Sequence, residues 1–362
     1  MTGFSEVDRR HMARALALAA RGRGSTWPNP RVGCVIAQGE RVVGEGWHRR
    51  AGGPHAEVFA LAQAGGAARG ATAYVTLEPC SHVGRTPACH LALIVAGIAR
   101  VVVAHEDPFE RVNGRGIAGL QAAGIRVERG LLAEAAAELN LGFLSSMRRA
   151  RPWLRLCLSL DADGRMGRAA WADLSEPRAD LQQWRGRSAA ILVGSGSVLA
   201  DDPELGVLPA TAEALPPVRV VLDGRARVPA GARVFDRSAP TLHVLGERPG
   251  TFVEHGHECL VLGEAGTPIP LPALLCELSR RGLHEVQAET GPRLSKALLQ
   301  AELVDELLIY LAAPAAAGAQ APTRLPASAT PGPGFRVHEV QPVGRSLRLC
   351  LRLRRAQGSA AS

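Results

Sequence analysis

His55-Ala56-Glu57, Pro79-Cys80 and Cys89 together offer one imidazole, two thiols and a carboxyl, in an order that suits zinc-dependent hydrolytic deamination. Zinc held by one imidazole and two thiolates keeps its fourth position for water and lowers that water's pKa toward roughly 7, so hydroxide is available at neutral pH. An amidine-type carbon attacked by hydroxide needs a proton carried to the departing amine. Glu57, too close to His55 to be a fourth ligand, suits that shuttle. His55, Cys80 and Cys89 are therefore the expected metal ligands, and Glu57 the expected catalytic acid/base. A lone histidine and two of seven cysteines could coincide, but Pro-Cys, His-x-Glu and their order match the deaminase signature together. One departure stands out. Eight residues separate Cys80 from Cys89, where the commonest signature has two.

The flanking sequence supplies elements to position these groups. Gly52-Gly53-Pro54 breaks the chain before His55, and Val58 to Ala62 is apolar and helix-forming, which places His55 and Glu57 in a helix's first turn. Ala73 to Leu77 reads as a buried strand ending at Glu78-Pro79, so Cys80 sits at its exit. Thr86-Pro87 suits a cap and first position for a helix carrying Cys89, where the dipole favours thiolate.

Strand-like and helix-like segments alternate along the chain, implying an α/β architecture. In the first half, 31–37, 41–47, 73–77, 100–104 and 125–128 read as strands, 8–20 as an amphipathic opening helix and 133–144 as a closing one. The polar, basic stretch Ser145 to Pro152 reads as a hinge, after which Trp153 to Leu160 begins a new strand. With 362 residues and 46% hydrophobic content, the chain has material for two packed cores. The expected division is 1–147 and 152–355.

The N-terminus has acidic residues and no apolar core, and no apolar run approaches a membrane span, so a cytoplasmic protein is expected. Seven cysteines dispersed over a long chain argue for a reducing compartment. The formal charge of +8 raises nucleic-acid binding, because some zinc deaminases edit tRNA or DNA. The arginines are spread without a basic aromatic stripe, and aromatics are only 4%, so no nucleic-acid partner is expected.

The insert Cys80-Ser81-His82-Val83-Gly84-Arg85-Thr86-Pro87-Ala88-Cys89 resembles the RibD family of bacterial riboflavin-pathway enzymes, in which a pyrimidine deaminase is fused to a reductase. Pro28 to Ile36, Gly44 to His48, Asp107-Pro108 and Gly114-Arg115-Gly116 resemble the same family, so the likeness covers nearly the whole chain. It implies a cytidine-deaminase-like three-layer domain followed by a dihydrofolate-reductase-like α/β domain, with Zn2+ and NADPH as cofactors, small phosphorylated pyrimidines as substrates and a homo-oligomeric assembly. By the same resemblance, Asn29, His48, Ser81, His82 and Arg85 surround the pyrimidine and its ribose phosphate. For each, a loop-stabilising hydrogen bond is the alternative role.

In the second half, 190–203 resembles the reductase's strand and Asp-Asp-Pro turn, Val218 to Asp223 its next strand, and Glu289 to Leu294 the opening of a helix suited to cofactor phosphate. Trp171, Ser197, Asp201 and the run Gly291-Pro292-Arg293-Leu294-Ser295-Lys296-Ala297 resemble cofactor-side positions, and Arg185, Leu205 and Glu289 substrate-side ones. Arg185 and Glu289 could equally be structural. This half also departs from the family. Ala169 stands where a substrate-contacting serine falls, and Gly206-Val207-Leu208 replaces a stretch with a phosphate-gripping arginine, a charge-assisted contact worth roughly 1.5 to 3 kcal/mol. Another arginine, such as Arg185 or Arg219, would then have to reach the phosphate.

The resemblance implies deamination of 2,5-diamino-6-ribosylamino-4(3H)-pyrimidinone 5′-phosphate, then NADPH reduction of 5-amino-6-(5-phosphoribosylamino)uracil to the ribityl product. Two rivals are a tRNA deaminase and a deaminase whose second domain is a noncatalytic scaffold. His255-Gly256-His257-Glu258-Cys259 is a second ligand-rich stretch, read as a surface turn entering the strand 259–262, with a structural or adventitious role. Cys34, Cys157, Cys276 and Cys350 lie in apolar segments and read as core residues. The tail 356–362 reads as disordered.

Overall fold

The computed structural model describes residues 3–81, 88–161, 166, 175–207, 214–247, 256–264, 267–312 and 334–354. Trp171, Ala169, Leu208, His255, the Thr86-Pro87 cap and the tail 356–362 lie outside them. The chain divides into two compact units, Met1–Ala150 and Arg151–Ser362.

In the first unit the strands β1 (Gly33–Gln38), β2 (Arg41–Trp47), β3 (Thr72–Val75), β4 (Arg100–Val103) and β5 (Arg126–Arg129) form one sheet in the order β2-β1-β3-β4-β5. β1 runs antiparallel to β2 and β3, and β3, β4 and β5 are mutually parallel. The period-2 alternation of strand side chains builds two cores from the same strands. Cys34, Ile36, Ala73, Val75, Val101 and Val103 face α2 (Ala56–Ala64), α3 (Cys89–Val95) and α4 (Arg115–Ala122). Val35, Ala37, Tyr74 and Val102 face the other way, against Met12, Ala15 and Leu18 of α1 (Glu6–Ala20) and Ala136 of α5 (Ala133–Leu139). Helices on both faces make the unit three-layered.

The closing helix is not continuous. α5 ends at Leu139 and α6 spans Leu141–Arg149, because Asn140 leaves the helical region at φ −124° to pair with Arg31: its Oδ1 accepts the Arg31 amide at 2.8 Å and its Nδ2 donates to the Arg31 carbonyl at 2.9 Å. The polar stretch expected as a hinge is helical to Arg149 and buries Ser145 and Ser146. It ends at Ala150, a left-handed C-cap with φ 54°.

The second unit holds β6 (Trp153–Leu160), α7 (Ser175–Arg187), β7 (Ala190–Gly194), α8 (Ser195–Asp201), β8 (Val218–Leu222), β9 (Thr241–Leu245), β10 (Glu258–Val261), α9 (Leu271–Arg280), β11 (Glu285–Glu289), α10 (Pro292–Gln300), β12 (Glu306–Leu311), β13 (Phe335–Val343) and β14 (Ser346–Leu353). Among the described residues its sheet has nine strands, ordered β10-β9-β8-β7-β11-β6-β12-β14-β13. From β10 to β12 neighbours are parallel, and the hairpin β13-β14 closes the far edge antiparallel. Both 153–160 and 218–222 match the expected strands to the residue: they are short and mostly apolar, each with one buried arginine, Arg155 and Arg219. Cys34, Cys157 and Cys350 are buried, but Cys276 is exposed. α9 turns Leu274, Leu275 and Leu278 inward, and at about 100° per residue Cys276 falls off that face.

Candidate metal centre and active site

Three backbone elements deliver the metal-type ligands. His55 is the N-cap of α2, with extended backbone (φ −77°, ψ 168°), and Glu57 lies in that helix's first turn. β2 must come very close to this turn. A Cβ on Gly46 would stand 2.5 Å from both the Ala56 carbonyl oxygen and Phe59 Cβ, so only glycine fits there. Cys80 follows the exit of β3, and Cys89 is the first residue of α3.

His55 Nδ1 lies 3.2 Å from Cys89 Sγ and 3.6 Å from Cys80 Sγ, and the three ligand atoms form one compact group. A nitrogen and a sulfur on one tetrahedral zinc are about 3.5 Å apart, so the donor set fits that ion in type and spacing. The Cys89 amide donates to Cys80 Sγ at 3.3 Å. A hydrogen bond from the Cys89 thiol holds the Cys80 thiol well below its ordinary value, against the effect of burial, and the same contact together with burial pushes Cys89 up. Cys80 is thus poised as thiolate, the form a metal takes. Glu57 is 2% exposed, its Oε2 has no hydrogen-bond partner among the described residues, and burial raises its pKa. A buried carboxyl with an uncommitted oxygen beside a metal-type cluster can carry a proton.

Asn29 and His48 also reach this region. His48 is buried, its ring centroid 5.3 Å from that of His55, with Nδ1 3.1 Å from the Pro54 carbonyl and Nε2 3.1 Å from Asn29 Nδ2. Desolvation lowers its pKa, and the neutral ring donating from Nδ1 and accepting at Nε2 satisfies both contacts. Ser81 instead spends its hydroxyl on the backbone, donating to the Arg111 carbonyl at 2.9 Å. His82 and Arg85 lie outside the described residues.

Glu78 was not singled out by the sequence reading, yet it organises the loop that carries Cys80. Its Oε1 accepts the amides of Gly116 and Ile117 at 3.0 and 3.2 Å, and its Oε2 those of Gly114 and Asp107 at 3.0 and 3.3 Å. Gly116 is held so close that a Cβ would lie 2.0 Å from the Pro79 carbonyl oxygen. His90 donates from Nδ1 to the Cys80 carbonyl at 3.1 Å, fixing the same segment from α3. The available signal was an acid immediately before Pro79-Cys80 facing a downstream Gly-x-Gly.

In the second unit, Arg185 and Glu289, both expected beside substrate, are bound to each other: Arg185 Nε lies 2.6 Å from Glu289 Oε1. Leu205 is 4% exposed and packs among Ile191, Val193, Val198 and Phe235. Ser197 Oγ accepts the Gly291 amide at 3.1 Å, joining α8 to the start of α10. On α10, Arg293 and Lys296 are exposed, Leu294 and Ala297 are partly buried, and Ser295 is buried with its hydroxyl 2.8 Å from that of Thr290. Pro292 opens that helix, and Asp201 ends α8 on an exposed face. Within the second ligand-rich stretch, the described residues His257 and Cys259 do more than form a surface turn, for their side chains meet that of His243 of β9.

Residues 5–105 match the cytidine and deoxycytidylate deaminase zinc-binding region, and residues 152–349 match the RibD C-terminal domain, a dihydrofolate-reductase-like α/β fold. The chain is 45% identical over 320 residues to the riboflavin biosynthesis protein RibD of Escherichia coli, covering 84% of this chain and 87% of that one. It superimposes on the RibD of Acinetobacter baumannii with a TM-score of 0.85 at 39% identity, covering 97% and 99% of the two chains. For a diaminohydroxyphosphoribosylaminopyrimidine deaminase/5-amino-6-(5-phosphoribosylamino)uracil reductase of Thermotoga maritima the TM-score is 0.84 at 28% identity, covering 96% and 99%. A zinc-type deaminase cluster on the first unit and a reductase fold on the second agree with these likenesses over nearly the full length, and the chain belongs to the RibD family of bifunctional riboflavin-biosynthesis deaminase-reductases.

Proposed function

We propose that the first unit deaminates 2,5-diamino-6-ribosylamino-4(3H)-pyrimidinone 5′-phosphate and that the second reduces 5-amino-6-(5-phosphoribosylamino)uracil to its ribityl counterpart with NADPH. The observation that carries the first step is the meeting of His55 Nδ1, Cys80 Sγ and Cys89 Sγ, with the buried carboxyl of Glu57 beside them. Zinc bound there supplies Lewis acidity that activates water at neutral pH. His55, Cys80 and Cys89 would hold the ion, and Glu57 would carry one proton of the attacking water to the exocyclic nitrogen, which leaves as ammonia, while the other proton passes to the ring nitrogen as the ring carbon becomes a carbonyl. Asn29 and the neutral His48, locked to each other, present a fixed polar edge to the pyrimidine.

In the second unit, NADPH supplies hydride to the sugar's C1, and the protein's part is alignment and anchoring. We assign the cofactor to the side formed by Ser197, Asp201 and the start of α10, and the substrate to the side of Arg185, Leu205 and Glu289. Among the described residues no helix is long and apolar enough to cross a membrane. A cytoplasmic homo-oligomer acting on small phosphorylated pyrimidines, with no nucleic-acid partner, accords with this reading. Assaying the purified chain with the diaminopyrimidine phosphate, with and without NADPH, tests both halves. Ammonia release without NADPH and NADPH oxidation only after deamination are expected. Ammonia release with no NADPH oxidation would leave the second unit a scaffold.

A further inference from the structure

Apart from the His55 cluster, the described residues bring together one other group of ligand-type side chains: His243, His257 and Cys259, whose ligand atoms all lie within 4.8 Å of one another. β9 and β10 are parallel, with Cys259 directly opposite His243, so these two side chains leave the same face of the sheet. His257 joins them from just before β10, with its Nε2 3.3 Å from His243 Nδ1. Its ring is stacked on Phe235, with centroids 4.1 Å apart and planes 6° from parallel. On the far side of His243, Nε2 lies 3.4 Å from Oδ2 of the fully buried Asp223, an oxygen that also accepts the Val228 amide at 2.8 Å.

These distances have the form of a metal site with an outer support. Two imidazole nitrogens on one tetrahedral zinc are about 3.3 Å apart, which matches the separation of His243 Nδ1 and His257 Nε2. A carboxylate that accepts from Nε2 fixes the proton there and turns the Nδ1 lone pair toward the ion, the usual carboxylate-histidine-metal relay. A simple hydrogen bond between the two rings would explain the nitrogen pair, and the Cys259 thiol makes a long contact to the His257 carbonyl, 3.9 Å, whereas one ion would draw all three ligand atoms to the same point. His257, just before the edge strand β10, and Cys259, on it, are partly exposed, so an ion has a way in and solvent can complete its shell.

We propose that His243, His257 and Cys259 bind a divalent ion of the zinc class, with Asp223 orienting His243 and water in the fourth position. The ion adds a side-chain tie between β9 and β10 to the backbone ladder that already joins them. The site is separate in residues and unit from the deaminase cluster and does not depend on it.

Zinc content of the full-length chain, equilibrated in a zinc buffer, tests this directly. Two ions per chain are expected, falling to one in Cys259→Ser with ammonia release unchanged, and to one in Cys80→Ser/Cys89→Ser with ammonia release lost. Cobalt provides a second readout. Co2+ added to Cys80→Ser/Cys89→Ser should give a thiolate-to-cobalt absorption band that disappears when Cys259→Ser is added. A single zinc per chain in the wild type that survives Cys259→Ser and is lost with Cys80 and Cys89 would overturn the proposal. So would a second ion held more weakly than about 1 μM, which would be adventitious, or a cobalt spectrum indifferent to Cys259.

Discussion

Arg185 holds Glu289 through both carboxylate oxygens, with Nε 2.6 Å from Oε1 and a terminal nitrogen 2.5 Å from Oε2, joining α7 to the end of β11. The pair is mostly buried, at 13% and 16% side-chain exposure, and is extended by Gln287 Nε2 donating to Oε1 at 2.8 Å and by Arg185 donating to the Gly206 carbonyl at 3.2 Å. Removing one partner leaves the other charge desolvated, so Glu289→Ala is expected to destabilise the reductase unit by about 3 kcal/mol. Glu289→Ala/Arg185→Ala should cost less than the sum of the two single changes by at least about 1 kcal/mol. Urea midpoints of the four proteins check this, and strict additivity would show that the pair is not coupled.

A second ionic group makes the same unit sensitive to acid. Burial alone would raise the Glu306 carboxyl, but Arg155 and Arg352 more than reverse this and hold it at about 2, against an ordinary 4.5. A folded value below the unfolded one means stability that is complete above about pH 4.5 and lost as pH falls toward 2. The contribution at neutral pH is at most about 3 kcal/mol. The stability difference between wild type and Glu306→Gln should therefore be widest at pH 6 to 7 and shrink steadily below about pH 4.5. A difference independent of pH would mean that Glu306 is not ionised in the folded protein.

The sequence made these features legible unevenly, and the reasons are physical. His55, Glu57, Cys80 and Cys89 announced themselves because helix starts and a strand exit are local signals and the metal's demands are chemical. Strands β6 and β8 were readable because they are short, mostly apolar segments of strand length, despite the buried Arg155 and Arg219 within them. The break at Asn140 was not, since its cause is a pair of hydrogen bonds to Arg31, distant in the chain. Glu78 looked like an ordinary loop acid until its four amide donors were seen. The mutual grip of Arg185 and Glu289, and the meeting of His243 with Cys259, depend on strand order across the sheet, which no short window contains.

Glu57→Gln should abolish ammonia release while leaving zinc content near that of the wild type. The amide keeps the size of the side chain but cannot take up and return a proton, and general acid-base participation is worth about 10²- to 10⁴-fold in rate. Zinc analysis and an ammonia assay on the same preparation check this. Substantial turnover in Glu57→Gln would assign the proton transfer to another group.

Glu78 acts through Cys80 as a positioning residue, so its removal should register first in metal affinity. With four amides left without their acceptor, Glu78→Ala is expected to weaken zinc binding by about 10- to 100-fold, with Glu78→Gln intermediate because one oxygen survives as acceptor. Competition against a zinc chelator checks this. Unchanged affinity in Glu78→Ala, accompanied only by lower thermal stability, would reduce its role to general packing.

The reductase's grip on substrate phosphate gives the last prediction. Of the two arginines that the sequence offered as substitutes for the missing one, Arg185 is engaged by Glu289 and Gly206, and Arg219 is fully buried, with Nε on Thr241 Oγ1 at 2.9 Å and its terminal nitrogens on Asp236 Oδ1 and the Ala239 carbonyl, each at 2.6 Å. Arg219 is therefore a structural residue and cannot turn outward without leaving buried acceptors unpaired. NADPH affinity, which rests on other residues, should be ordinary, with a dissociation constant of about 1 μM, while KM for the phosphorylated substrate is raised. Leu208→Arg, at the position where the resemblance places a phosphate-gripping arginine, should lower that KM by about 10- to 100-fold, the equivalent of one charge-assisted contact, and leave NADPH affinity unchanged. Steady-state kinetics with a parallel NADPH titration check this. A KM that is already low and does not respond to Leu208→Arg would mean that a different cation of this unit holds the phosphate.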